Sequence, residues 1–206
     1  PRGAELTDLL NRWIAALQTI SRNDHDNEYH RLFEGGMICP LNETAYVRRD
    51  KGAIIGDACG FYRAFGWEPR LGTGEKPDHL VFELQFLGVQ LAMLAQAGCE
   101  NAGEKSEIVR KAIRKFGADH LGDWLPTVVQ NIAETTQTET FRALAEALSC
   151  VWDSLIQFHS IPITPSDAII PPPAIPTLGA AEDDPVDSPY EPCGFESAPG
   201  LVQIQS

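Results

Sequence analysis

The tripeptide Asp-His-Leu occurs twice, at Asp78-His79-Leu80 and at Asp119-His120-Leu121. An acid beside an imidazole suggests proton transfer or metal ligation, but adjacent helical residues point about 100° apart, so neither Asp orients its neighbouring His. His79 and Glu83 are four apart and share a helix face. Glu83 sits inside the most apolar stretch of the chain, where a lone carboxylate is costly, so His79 or an arginine is expected to partner it. The pair reads either as a structural lock at a helix start or as a polar notch in a hydrophobic groove. Metal binding needs further donors, and no H-x-x-x-H or E-x-x-H completes a set. Phosphohydrolases built on His-Asp doublets use the reverse order and further His motifs.

Other chemistries fall away on spacing. Thr73-Gly74-Glu75-Lys76-Pro77 spells a zinc-finger linker, yet no flanking Cys and His have the spacing of a finger. Gly72-x-Gly74-x-Lys76 lacks the gap and the Ser/Thr of a phosphate loop, and no G-x-S-x-G is present. The 5 cysteines (Cys39, Cys59, Cys99, Cys150, Cys193) form no C-x-x-C and read as small buried hydrophobes in a reducing compartment. Tyr46, Phe61, Tyr62, Phe65, Trp67 and Trp124 flank the two His doublets. Phe61 and Phe65 read as core, whereas Tyr and Trp combine apolar area with a polar tip, as recognition surfaces do.

The segments that must position these residues have helical periodicity. Leu6, Leu9, Leu10, Trp13, Ile14, Leu17 and Ile20 predict a helix over 5–22, stopped by Asn23-Asp24. A short helix over 26–34 should end at Gly35-Gly36, and another should span 51–66. The strongest runs from Pro77, suited to a first helical position, to Ala97, and it is apolar nearly all round, as a central helix is. Helices over 104–118, 125–135 and 138–159 follow. With no alternating strand pattern, the expected fold is all-α, a single helical bundle.

Composition divides the chain into residues 1–160, a helical domain, and 161–206, a tail. The tail holds 10 of the 15 prolines and seven acids, with no Lys or Arg. It should be extended and lie along a surface. Overall, 16 Lys and Arg face 29 Asp and Glu, a formal net charge of −13. Such a chain suits a basic partner and not nucleic acid. No uninterrupted run of 18 apolar residues exists, so no membrane insertion is expected, and no export signal is written at the N-terminus.

Glu75-Lys76-Pro77-Asp78-His79-Leu80-x-x-Glu83-Leu84-x-Phe86-Leu87 resembles the E-x-P-D-H signature of the TorD/DmsD/NarJ family of redox-enzyme maturation chaperones. Tyr29-x-x-Leu32-Phe33, Pro40-Leu41-x-Glu43-x-x-Tyr46, Phe61-Tyr62-Arg63-Ala64-Phe65-Gly66 and His120-Leu121-x-x-Trp124-x-Pro126 match the family in the same order, over about residues 26–158. The Cys39-Pro40-Leu41 and Tyr46 region is most similar to chaperones serving type II dimethyl-sulfoxide-reductase enzymes. Family members usually have more helix before the Tyr-x-x-Leu-Phe stretch, and the acidic tail departs from their pattern.

The resemblance implies a TorD-like bundle and a cytoplasmic, non-catalytic chaperone. It would bind the twin-arginine leader or the apo form of a molybdenum enzyme's catalytic subunit, assist cofactor insertion and delay export. Binding of the apo-enzyme core without leader recognition, in the manner of NarJ, is the alternative; nucleotide hydrolysis is opposed by the missing phosphate loop. The resemblance implies no resident cofactor, although a weak guanine-nucleotide or molybdenum-cofactor contact has been suggested for relatives. Monomers and domain-swapped dimers both occur in the family, with Gly72–Gly74 as a candidate hinge. A leader needs an apolar groove with carboxylates at one end. The expected recognition pair is Asp78 and His79, supported by Glu83, Glu75, Pro77, Asp57, Glu43 and His120, with Tyr46, Tyr62 and Trp124 as groove walls.

Overall fold

The computed structural model describes residues 2–34, 38–69 and 75–163. Helix α1 (Arg2–Thr19) is followed by α2 (Arg22–Tyr29), which runs into a π-turn at His30–Glu34. A 3-10 turn at Glu43–Ala45 precedes α3 (Lys51–Ala64) and α4 (Leu80–Cys99). Helix α5 (Gly103–Phe116) continues into a second π-turn, Gly117–Leu121, and α6 (Leu125–Thr135) and α7 (Glu139–His159) complete the order. The fold is all-α, with an isolated antiparallel bridge between Asn42 and His79.

Local chemistry sets the boundaries. Asn23-Asp24 does not stop α1, as the sequence reading expected: α1 ends at Thr19, and Ser21 caps α2 by accepting a hydrogen bond from the Asp24 amide at 3.1 Å. Asp50 caps α3 through the Ala53 amide at 2.7 Å. Pro77 does not open α4. Asp78 is held by the 42–44 segment, so the helix starts at Leu80 with His79 as its cap, Nδ1 accepting from the Val81 amide at 3.2 Å. Gly66 closes α3 at φ 63°, a left-handed conformation that suits glycine. The expected stop at Gly35-Gly36, the hinge at Gly72–Gly74 and the tail beyond Ile163 lie outside the described residues.

Helix α1 packs along α7, α6 along α7 on another side, and α4 against α5. The core is densest where α3, α4 and the second π-turn meet. Tyr62 and Phe86 stand 4.9 Å apart, Phe86 and Phe116 4.8 Å, and Phe116 and His120 5.0 Å, ring centre to ring centre. Such edge and tilted contacts favour aromatic pairs beyond the area they bury. Helix α4 is, by length and composition alone, apolar enough to cross a membrane, which the count of uninterrupted apolar residues did not register. In this fold it is not the central helix that its composition predicts: it packs mainly on α5 and buries Leu80, Phe82, Glu83, Phe86, Leu87, Gln90 and Ala97, while Val81 and Met93 are exposed. Cys39 and Cys59 are buried as expected, but Cys99 is exposed.

A second polar centre ties α2 to the α6–α7 turn. The buried Glu28 carboxylate accepts from Arg31 Nε at 2.7 Å and Nη2 at 2.8 Å, from Thr136 Oγ1 at 2.8 Å and from the Gln137 amide at 2.6 Å. Burial opposes its charge, but these donors outweigh it and hold its pKa below the usual carboxylate value.

Candidate functional site

The residues singled out in the sequence do converge. Helix α4 begins against the 41–44 segment, stitched by four hydrogen bonds. The Leu80 amide donates to the Leu41 carbonyl at 2.8 Å and the Glu43 amide to the Asp78 carbonyl at 3.0 Å. Asn42 Nδ2 donates to Asp78 Oδ1 at 3.1 Å and the Thr44 amide to Asp78 Oδ2 at 3.0 Å. Tyr62 closes the corner from α3, its hydroxyl donating to the Pro77 carbonyl at 2.8 Å. The Pro-Asp-His corner is therefore a clasp between the α4 start and the loop before α3.

Behind it lies a buried row of ionisable groups. Glu43 accepts from Arg49 Nη2 at 2.6 Å through Oε1, and its Oε2 lies 2.9 Å from His120 Nδ1. The far ring nitrogen, Nε2, stands 3.3 Å from Asp57 Oδ2, outside hydrogen-bond geometry. Glu83 is wholly buried, and neither of its oxygens has a hydrogen-bond partner. Burial, then the charges of Glu43 and Asp78, push the Glu83 pKa well above the usual carboxylate value, favouring the neutral acid. Burial also lowers the pKa of the half-buried His79, favouring the neutral imidazole that its capping role needs.

This geometry corrects several sequence expectations. Asp78 is 0% exposed, and Tyr46, Tyr62 and Trp124 are buried in the core, so they are not the walls of an open groove. Tyr46 stacks on Trp124 at 5.5 Å, and Trp124 donates its indole N–H to the His120 carbonyl. Burial raises both tyrosine pKa values. Among the described residues neither His79 nor an arginine partners Glu83: His79 turns to cap its own helix, and Arg49 pairs with Glu43 instead. Pro77 and His120 are buried too. Of the expected recognition residues, Glu75 and Asp57 are exposed and His79 is partly so.

Glu43, Glu83 and His120 place one donor atom each within 4.8 Å of the others, a set of the kind that holds a divalent cation. Two of the three are already bonded to each other, and Glu43 also to Arg49, so a cation would have to compete with that ion pair. The spacing search could not find this trio, because Glu43 and His120 are 77 residues apart. Glu28 was missed for the same reason: its partner Thr136 is 108 residues away.

The raised pKa of Glu83 gives a pH signature. A carboxyl whose folded pKa lies above its unfolded value stabilises the fold fully below pH 4.5, and that contribution is lost as pH rises through the folded pKa. Thermal unfolding followed from about pH 5 to about pH 8 should show stability falling, and Glu83→Gln, a neutral isostere, should flatten the fall. An unchanged slope in the variant would place the titrating group elsewhere.

Open surface lies on other faces. Glu5 and Leu9 of α1 with Glu146, Ser149, Cys150 and Asp153 of α7 line a depression of about 470 Å³. Leu6 with Val151, Ser154, Leu155, Gln157 and Phe158 line a second, apolar depression of about 630 Å³, and Phe158 is 77% exposed. Helix α1 also leaves Leu10, Ile14 and Leu17 exposed. Between α4 and α5, Phe65, Met93, Ala97, Ile108 and Val109 line a third, of about 540 Å³.

Among the described residues seven α-helices surround the Pro-Asp-His clasp, and comparison with known proteins shows the family. The family model described as nitrate reductase delta subunit matches residues 2–130. The chain belongs to this family, the NarJ/TorD-type chaperone family. It is 31% identical over 132 residues to the perchlorate reductase assembly chaperone protein of Dechloromonas aromatica (strain RCB), covering 62% of this chain and 58% of that one. It is 32% identical over 123 residues to the chlorate reductase assembly chaperone protein of Ideonella dechloratans, covering 58% and 63%. It is 32% identical over 112 residues to the selenate reductase assembly chaperone protein of Thauera selenatis, covering 52% and 57%. The matches thus span about three-fifths of these relatives' lengths.

Proposed function

We propose that the chain is a cytoplasmic assembly chaperone for the catalytic subunit of a molybdenum-dependent reductase. It binds the immature subunit, with its twin-arginine leader, and performs no chemistry of its own. The family and the names of the three relatives support the chaperone role. Leader binding rests on one observation: α1 and α7 together line both an acidic depression and an apolar one. Glu5 and Asp153 make no ion pair among the described residues, whereas Glu146 is shared with Arg12 at 2.7 Å. Two arginines of a leader would meet Glu5 and Asp153, and its apolar stretch would cover Leu6, Val151, Leu155 and Phe158. Apolar burial would supply most of the affinity, at ~25 cal/mol per Å² before ordering costs. The carboxylates would fix orientation and speed encounter.

Calorimetric titration of the full chain with a synthetic peptide, an Arg-Arg pair followed by an apolar segment, tests this. Glu5→Lys with Asp153→Lys should weaken binding about tenfold or more, a loss of about 1.4 kcal/mol, with helical circular dichroism unchanged. Equal affinity of wild type and variant rejects this face. No binding of the peptide by wild type, with capture of the intact apo-subunit, rejects leader recognition in favour of the apo-core mode.

A further inference from the structure

Helix α5 is basic in an acidic chain: Lys105, Arg110, Lys111, Arg114 and Lys115 stand against Glu104 and Glu107. All five cations are exposed. Arg110, Lys111, Arg114 and Lys115 fall on the solvent side of the helix, opposite the buried Val109, Ile113 and Phe116. Lys111 reaches Glu107 at 3.9 Å and Lys115 pairs with Asp119. Arg110 and Arg114, one turn apart, have no carboxylate partner among the described residues. Ile108, 56% exposed, stands at the edge of this face and leads into the α4–α5 depression.

The chain leaves the described fold beside this face. Helix α7 ends at Ser160, left-handed at φ 53°, and Ile161 turns inward to be buried. A Cβ on Gly117 would stand 3.0 Å from Ile161 Cδ1, and one on Gly122 would stand 3.0 Å from Ile163 Cδ1. Residues 161–163 therefore run along the π-turn that directly continues α5. Arg110 reaches the same end of α7: the His159 pKa is lowered, by burial first and by the Arg110 charge second. Beyond Ile163 come residues 164–206, with seven acids and no cation, the first acid at Asp167.

We propose that residues 164–206 of this chain dock on their own α5, with tail carboxylates on the Arg110–Arg114 face and tail apolar side chains in the α4–α5 depression beyond Ile108. Sign, location and reach agree. The acidic segment departs near the end of α5, the most cation-rich of the described helices, whose two arginines have no carboxylate partner among the described residues. Helix α5 is about 21 Å long, whereas residues 164–206 extend to about 130 Å at about 3.1 Å per residue. Ile169, Ile170 and Ile175, close after Asp167, offer apolar side chains for the depression. Extended Pro-rich chain gives up little conformational freedom on docking, which favours it as a cover. Docked there, it would mask the basic face and leave the α1–α7 face open to a client.

Carbodiimide coupling of the full-length chain, followed by peptide mass spectrometry, tests this. Amide bonds between Lys111 or Lys115 and a carboxylate in 167–196 are expected, beside the internal-control couplings of Lys111 to Glu107 and Lys115 to Asp119. Arg110→Glu with Arg114→Glu keeps every coupling group and should cut the tail coupling about fivefold or more, with the control couplings retained. In 1 M salt, where the screening length is about 3 Å, the tail coupling should fall likewise. Control couplings without tail couplings would overturn the proposal. So would tail couplings that an equal mixture of isotope-labelled and unlabelled chains shows to be between copies, because the occupant would then be a second molecule.

Discussion

Trp124→Ala should lower the unfolding free energy by about 3–5 kcal/mol, read from urea denaturation followed by circular dichroism. The indole is wholly buried, stacked on Tyr46, and its N–H is bonded to the His120 carbonyl. Alanine leaves a large void beside Tyr46 and removes the donor on a buried carbonyl in the π-turn. A domain of this size has only about 5–15 kcal/mol to lose, so the variant should be near the edge of folding. A loss below about 1 kcal/mol, the usual range for exposed sites, would mean that Trp124 lines an open groove, as the sequence reading expected.

Glu43→Ala should cost about 3–5 kcal/mol by the same measurement, because it strips the partner from Arg49 and from the buried His120. The neighbouring Glu83→Gln should be stabilising at neutral pH, because burial and the charges of Glu43 and Asp78 disfavour the ionised carboxyl that the amide replaces. Two buried glutamates in one cluster should therefore respond in opposite directions. Equal losses would show that Glu83 carries a charge and has its own cationic partner.

The longer helices were legible because they carry apolar faces, whereas α2 (Arg22–Tyr29), polar throughout and set by the Ser21 cap, starts four residues earlier than expected. Helix α6 spans Leu125–Thr135, the residues its periodicity predicted, with Pro126 in its first turn. The α4 start was misjudged by three residues because Pro77 and Asp78 satisfy the local rules for a helix opening. What overrides them is the distant Asn42-Thr44 segment, which claims the Asp78 carboxylate. The same non-local logic hid the buried cluster. His120 is oriented not by Asp119, which pairs with Lys115, but by Glu43. Residue types and local spacing located the Pro-Asp-His corner correctly. They could not tell a clasp from a binding pair, since both use an acid and an imidazole at a helix start, and only burial separates them. The α1–α7 face was legible as composition but not as a site, because Glu5 and Asp153 meet only when α1 packs on α7.

The central claim is that this chain holds an immature molybdoenzyme subunit. The most direct measurement is affinity capture with the full-length chain from a lysate of its native cells, with mass spectrometry and molybdenum analysis of the eluate. We expect a large catalytic subunit co-eluting in near-equal amount and free of molybdenum. Elution of the subunit with molybdenum bound, or of no such subunit while the tagged chain is folded and abundant, would contradict it.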